Sequence, residues 1–126
     1  MTAGKSGHSR IRLGRQGEEL AAARLVEEGY RIVERNWRCP SGELDLIAER
    51  DGVTVFVEVR SRRATGKFGS PEESVDARKQ RKVRETAQYY LYRKKTLEAK
   101  VRFDVITVMF TPEGSFCKLN HLENAF

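Results

Sequence analysis

The spacing of apolar residues changes several times along the chain, and each change marks an element. Between Arg12 and Glu28, Leu13, Gly17, Leu20, Ala21 and Leu25 recur at steps of three and four. That period predicts a helix, stopped by Gly29. "YRIVERNW" (Tyr30–Trp37) puts Tyr30 and Ile32 on one side of a strand, and "RCPSG" (Arg38–Gly42) is a turn or bulge rich in breakers. From Glu43 to Arg60 two apolar runs flank Asp51-Gly52. This is a strong hairpin signal, because a type I′ turn needs positive φ at both central residues. A loop over Arg62–Ser74 follows, long for a domain of this size. The stretch Ser74–Lys95 predicts a second helix with Val83, Ala87, Tyr90 and Leu91 as its core stripe. "KVRFDVITVMF" reads as a strand, "TPEG" as a turn and "SFCKLNHL" as a short last strand. The order α-β-β-β-α-β-β predicts an α/β domain, a mixed sheet with helices packed against it.

A two-residue turn sets the hairpin register. Arg50 then faces Val53, Asp45 faces Glu58, and Glu43 faces Arg60. Alternation places Leu44, Leu46, Ala48, Val55, Val57 and Val59 on one face, which must be core. The other face carries Glu43, Asp45, Ile47, Glu49, Thr54, Phe56, Glu58 and Arg60. Like charges directly opposite one another destabilise a sheet, so the Asp45–Glu58 pair needs an explanation. A divalent cation supplies one: two carboxylates at this separation offer hard oxygen ligands suited to Mg²⁺ or Mn²⁺. Arg60 could then hold a phosphate oxygen. A solvated face neutralised by arginines is the other reading of the same pattern.

Composition adds the partner. The chain has 126 residues, 39% apolar and 33% charged, which fits one globular domain, expected over 11–126 behind a flexible basic arm over 1–10. The formal charge is +6. From Arg60 to Arg84 there are nine basic and three acidic residues, so that segment alone carries the whole excess. A positive field beside a carboxylate pair suits a phosphodiester, with Arg62, Arg63, Lys67, Lys79 and Lys82 as candidate backbone contacts. Phe68 either stacks on a base or anchors the loop. Glu18, next to Gly17, is either an ordinary exposed glutamate or a third acid over the hairpin. Asp104 in "RFDV" is either a supporting group or a buried partner for an arginine such as Arg102. Cys39 and Cys117 are too few for a disulfide scaffold and are expected to be reduced and partly buried. His8 and His121 show no nearby chemistry, and no zinc site or His-based triad is supported. The polar start has no apolar core of a secretory signal and no run approaches a membrane span, so the expectation is a cytoplasmic protein without a membrane partner.

Taken together, "GRQGEELAAARLVEEGYRIVERNWR", "GELDLIAERDGVTVFVEVRSR", "FGSPEESVDARKQRK" and "RFDV" resemble the YraN-type, UPF0102 group of small bacterial proteins. That group is similar to archaeal Holliday-junction resolvases within the PD-(D/E)xK, restriction-endonuclease-like fold. The resemblance implies a metal-dependent, structure-selective DNA endonuclease with Glu18, Asp45 and Glu58 as metal ligands. It also implies branched or flapped DNA as substrate and a homodimer. The position two after Glu58 is usually lysine in that superfamily and is Arg60 here. An arginine stays protonated and is a poor general base, although it can neutralise a transition state. The alternative is a nucleic-acid-binding protein that keeps the fold without catalysis.

Overall fold

The computed structural model describes residues 6–64 and 75–126. Helix α1 (Ser6–Glu27) precedes three strands, β1 (Arg31–Cys39), β2 (Gly42–Arg50) and β3 (Val53–Arg63). Helix α2 (Ala77–Arg93) and strands β4 (Lys100–Phe110) and β5 (Phe116–Leu122) complete the chain. The predicted order of elements is observed. The five strands form one sheet in sequential order. Only β3 and β4 run parallel, α2 making the crossover between them; the other three pairings are antiparallel.

The helices cover opposite faces. Leu13, Ala21, Ala22 and Leu25 of α1 pack on Leu46, Ala48, Val55, Val57, Ile106 and Val108. Val83, Ala87, Tyr90 and Leu91 of α2 pack on Ile47, Phe56 and Phe103. Successive strand residues alternate between these two cores, as the pleat requires. No helix is long and apolar enough to cross a membrane, among the described residues.

Several boundaries differ from those read off the sequence. Helix α1 begins at Ser6, six residues before the predicted start and within the expected arm. Strand β3 continues through Arg63, so Arg62 and Arg63 are strand residues rather than loop residues. Their backbones continue the parallel ladder with Met109 and Phe110, which the loop-like composition of this stretch does not reveal. Helix α2 begins at Ala77, with Asp76 as its N-cap accepting from the Lys79 amide at 2.9 Å. Cys117 is exposed rather than partly buried, because β5 is an edge strand. Lys67, Phe68, Glu72 and Glu73 lie outside the described residues.

Candidate functional site

Both central residues of the hairpin turn have positive φ, 54° at Asp51 and 79° at Gly52. The expected register follows from Arg50–Val53 to Leu46–Val57. There the backbone ladder ends. Asp45 and Glu58 do not continue it; the Asp45 carboxylate turns to the next strand and accepts the Val59 amide at 2.9 Å through Oδ2. Across β2, Asn36 of β1 sits with φ 50° between the paired residues Arg35–Leu46 and Trp37–Leu44. A left-handed residue inside a strand breaks regular alternation. Leu44 accordingly joins the α2 core instead of following Leu46 to the α1 side. The predicted Glu43–Arg60 pairing is also absent. Glu43 is held instead by Arg38 at 3.1 Å, because its neighbour in this half of β2 is β1.

The parted strands leave two carboxylates inside the protein end of the hairpin. Glu58 is only 2% exposed. Its Oε1 lies 3.6 Å from Lys79 Nζ, and its Oε2 is buried without a hydrogen-bond partner among the described residues. Burial, then the Asp45 charge, pushes the Glu58 carboxyl up to about 8, against the pull of Lys79. Asp45 is also raised, first by burial, with the Val59 amide, Lys79 and Arg60 opposing. The Asp45 charge thus opposes ionisation of Glu58 on top of burial, and Glu43 opposes that of Asp45.

Glu18 approaches from the other side of the hairpin. Helix α1 lies against β3 so closely that a Cβ on Gly17 would stand 1.8 Å from Ser61 Oγ. Only a glycine makes this contact without displacing Ser61, and the next residue, Glu18, is brought within reach of Asp45 and Asn36. Its carboxyl is raised by burial and by the Asp45 charge, with a hydrogen bond from the Asn36 side chain opposing. Glu18, Val59, Arg60, Ser61 and Arg62 line a groove of about 410 Å³. Ser61 Oγ is buried there without a hydrogen-bond partner among the described residues.

The structure thus brings Asp45 and Glu58 together and sets Glu18 and Arg60 within electrostatic reach of Asp45. The three acids do not close into a ready ligand set: among the described residues, no three His, Cys, Asp or Glu side chains form a group that could hold a metal ion. Of the basic candidates, Lys79 contacts the site directly, Arg62 lines its groove, and Lys82 is exposed on α2. Arg63 is engaged in structure, donating to the Pro112 carbonyl at 2.6 Å.

One polar cluster was missed from the sequence. Asp104 is fully buried and accepts from Arg102 Nε and a terminal guanidinium nitrogen at 2.9 and 2.8 Å, and from the Asn124 amide at 3.0 Å. It also meets His121 Nε2 at 2.7 Å. Arg102 reaches on to the Tyr30 hydroxyl, and His121 Nδ1 faces Glu28 at 3.5 Å. The buried-partner reading of Asp104 holds. The expectation that His121 has no neighbouring chemistry does not, because β5 pairs with β4 and carries the ring to the aspartate. This network ties β4 and β5 to Glu28, just past the C-terminal end of α1.

A solved structure with a partial likeness is that of Pyrococcus furiosus SfsA in complex with Ca²⁺, at 17% identity and a TM-score of 0.38, covering 91% of this chain and 63% of that one. Sequence relatives are much nearer. A UPF0102 protein of Desulforamulus reducens is 51% identical over 116 residues, covering 90% of this chain and 93% of that protein. One of Clostridium perfringens strain 13 is 45% identical over 114 residues, with the same coverage. One of Thermodesulfovibrio yellowstonii is 45% identical over 118 residues, covering 94% of this chain and 98% of its own. The model for "Uncharacterised protein family UPF0102" matches residues 17–108, from the glycine under Ser61 to the Val108 that packs against it, and the chain belongs to that family.

Proposed function

We propose that this protein hydrolyses phosphodiester bonds in DNA with a divalent cation at Asp45 and Glu58, on a restriction-endonuclease-like, PD-(D/E)xK domain. The observation that carries the reading is the Glu58 carboxylate, buried to 2% exposure next to a second acid, with one oxygen lacking any hydrogen-bond partner among the described residues. A protein that needed only a packed core would gain by an apolar residue here. The donor set fits Mg²⁺ or Mn²⁺, which prefer carboxylate oxygens and keep open positions for water and phosphate. Asp45 and Glu58 would hold the ion, and Glu18 would join through α1. Such an ion, when bound, lowers the pKa of a coordinated water and polarises the phosphate.

The chain's own cations do the rest. Lys79, held at 3.6 Å from Glu58 by the first turn of α2, presents an ammonium at the mouth of the site. It supplies from a helix the lysine that the Arg60 position lacks. The Arg60 guanidinium neutralises the negative charge that builds on the phosphate in the transition state. Contacts of this kind to the backbone would select DNA by shape rather than by sequence; branched or flapped DNA as substrate is what the family resemblance implies.

Cleavage of linear, flapped and four-way DNA in Mg²⁺ or Mn²⁺ tests the reading, with Asp45→Asn and Glu58→Gln as variants. Activity is expected in the wild type and lost in both; wild-type rates in either variant refute it. A second reading has its own support. Lys79 already neutralises Glu58 in part, and the three acids do not form a closed ligand group. A non-catalytic nucleic-acid-binding protein would show salt-dependent binding and no cleavage with any metal.

A further inference from the structure

Some of the chain's cations are neutralised by neighbouring acids and others are not. Those over β1 and its surroundings are neutralised: Arg31 by Glu49, Arg35 by Glu19, Arg38 by Glu43, and Lys94 by Glu34. Arg12 and Arg15 on α1, Arg62 on β3, and Arg78, Arg81 and Lys82 on α2 are exposed and make no ion pair among the described residues. Lys95, Lys100 and Lys118 are likewise exposed without an ion pair among the described residues, but only the first six border the grooves that adjoin the acidic site.

Three grooves connect them. The first, about 620 Å³, runs along α1 and is lined by Arg12, Arg15 and Gln16, with Arg63 and the β4–β5 turn opposite. Leu13 belongs both to it and to the groove that holds Glu18, Arg60 and Arg62, so the two adjoin. On the other side Lys79, in contact with Glu58, opens a third groove of about 510 Å³ lined by Arg78, Arg81 and Lys82 and by two acids, Asp76, which caps α2, and Glu85. Of the two acids in the first groove, Glu19 is already neutralised by Arg35 at 3.1 Å, leaving Glu113. Because α1 and α2 cover opposite faces of the sheet, the acid pair has a basic track on each side.

We propose that Arg12 and Arg15 form a second backbone-binding track for double-stranded DNA, opposite the α2 track, so that the duplex is gripped on both sides of the acidic site. Resting on the reading of that site as a DNA phosphodiesterase, this assigns a contact to the first half of α1, which the charge run from Arg60 to Arg84 did not indicate. Two arginines three residues apart share one helix face, and a polyanion with one charge per about 1.7 Å of duplex is the partner that such a continuous track complements.

The test is binding, measured in chelator so that no cleavage or metal enters. Fluorescence anisotropy with a labelled mixed-sequence duplex would be followed over about 50 to 200 mM salt. The variants are Arg12→Gln/Arg15→Gln and Arg78→Gln/Arg81→Gln, which keep helix-forming side chains, with melting temperature as the folding control. Each pair is expected to weaken binding about tenfold or more and to reduce the slope of log K against log[salt] by about 2. The four-residue variant should lose both increments. Wild-type affinity and slope in Arg12→Gln/Arg15→Gln overturn the proposal, as does tighter binding of duplex RNA than of DNA. Failure of the catalytic reading looks different: a wild type that binds through both tracks but never cleaves leaves the second track standing.

Discussion

Replacing Gly17 by alanine sets two opposed effects against each other. In a helix interior alanine is favoured over glycine by about 1 kcal/mol. Against this, the new methyl would stand 1.8 Å from Ser61 Oγ, 3.1 Å from Ser61 Cβ and 3.7 Å from Val108 Cβ. The hydroxyl can rotate away, but Ser61 Cβ is fixed by the β3 backbone, so α1 must lift from the sheet. Overpacking of this kind costs about 1–3 kcal/mol. The net expectation is a protein less stable by about 1 kcal/mol, read as a lower urea midpoint at unchanged m. Ser61→Ala alone should be near neutral, since the hydroxyl it deletes has no hydrogen-bond partner among the described residues. Combining the two should recover about 0.5–1 kcal/mol of the Gly17→Ala loss, a coupling expected only for residues in contact. Lifting α1 also draws Glu18 away from Asp45, so the Glu18 carboxyl, followed by NMR, should titrate closer to its ordinary value. A Gly17→Ala protein that is more stable by the helix-propensity gain would refute the close approach, and with it the account of how Glu18 reaches the site.

Three further outcomes follow from the buried charges. Asp104→Asn leaves Arg102 and His121 without their shared carboxylate and should cost about 3–5 kcal/mol in chemical denaturation; a loss below about 1 kcal/mol would mean that the network is peripheral. His121 is raised above its ordinary value, burial opposing but the Asp104 and Glu28 carboxylates winning, so its contribution is fully present below about pH 6.5 and lost as pH rises through the raised value. The urea midpoint should fall across that window in the wild type and not in His121→Gln. Glu58 behaves as an acid that folding protonates: its contribution is present below its ordinary value of 4.5 and lost as pH rises through about 8. In chelator, Glu58→Gln should therefore match the wild type near the acid end of that window and melt higher at its alkaline end, and equal melting profiles throughout would refute the burial argument.

How much of this was legible in the sequence depends on the range over which each cause acts. Asp51-Gly52 sets a turn through its own φ angles, so the hairpin and five of its residue pairs could be read from two letters and an alternation. The α2 stripe was equally local. Where the reading stopped at Leu46–Val57, the cause lies on a third strand: Asn36 in the left-handed region, nine residues before Asp45. Asparagine's tolerance of that region is a signal only once β1 is known to lie beside β2. Gly17 looked like a tolerated defect in a helix because its reason, Ser61, is supplied by a distant strand.

The same division explains the site. That Asp45 and Glu58 belong together was legible, because alternation and one turn fix which residues approach. The form of the contact was not. Two ionised carboxylates facing each other in an intact ladder would repel at close range. The strands part instead, Asp45 takes the Val59 amide, and Glu58 is left buried beside Lys79, which reaches it from α2. A lysine placed there by α2 rather than by β3 could not be found from spacing along the hairpin. Whatever Arg60 does, an ammonium already stands 3.6 Å from Glu58, supplied by α2 rather than by β3, and Lys79→Met can test it apart from Arg60.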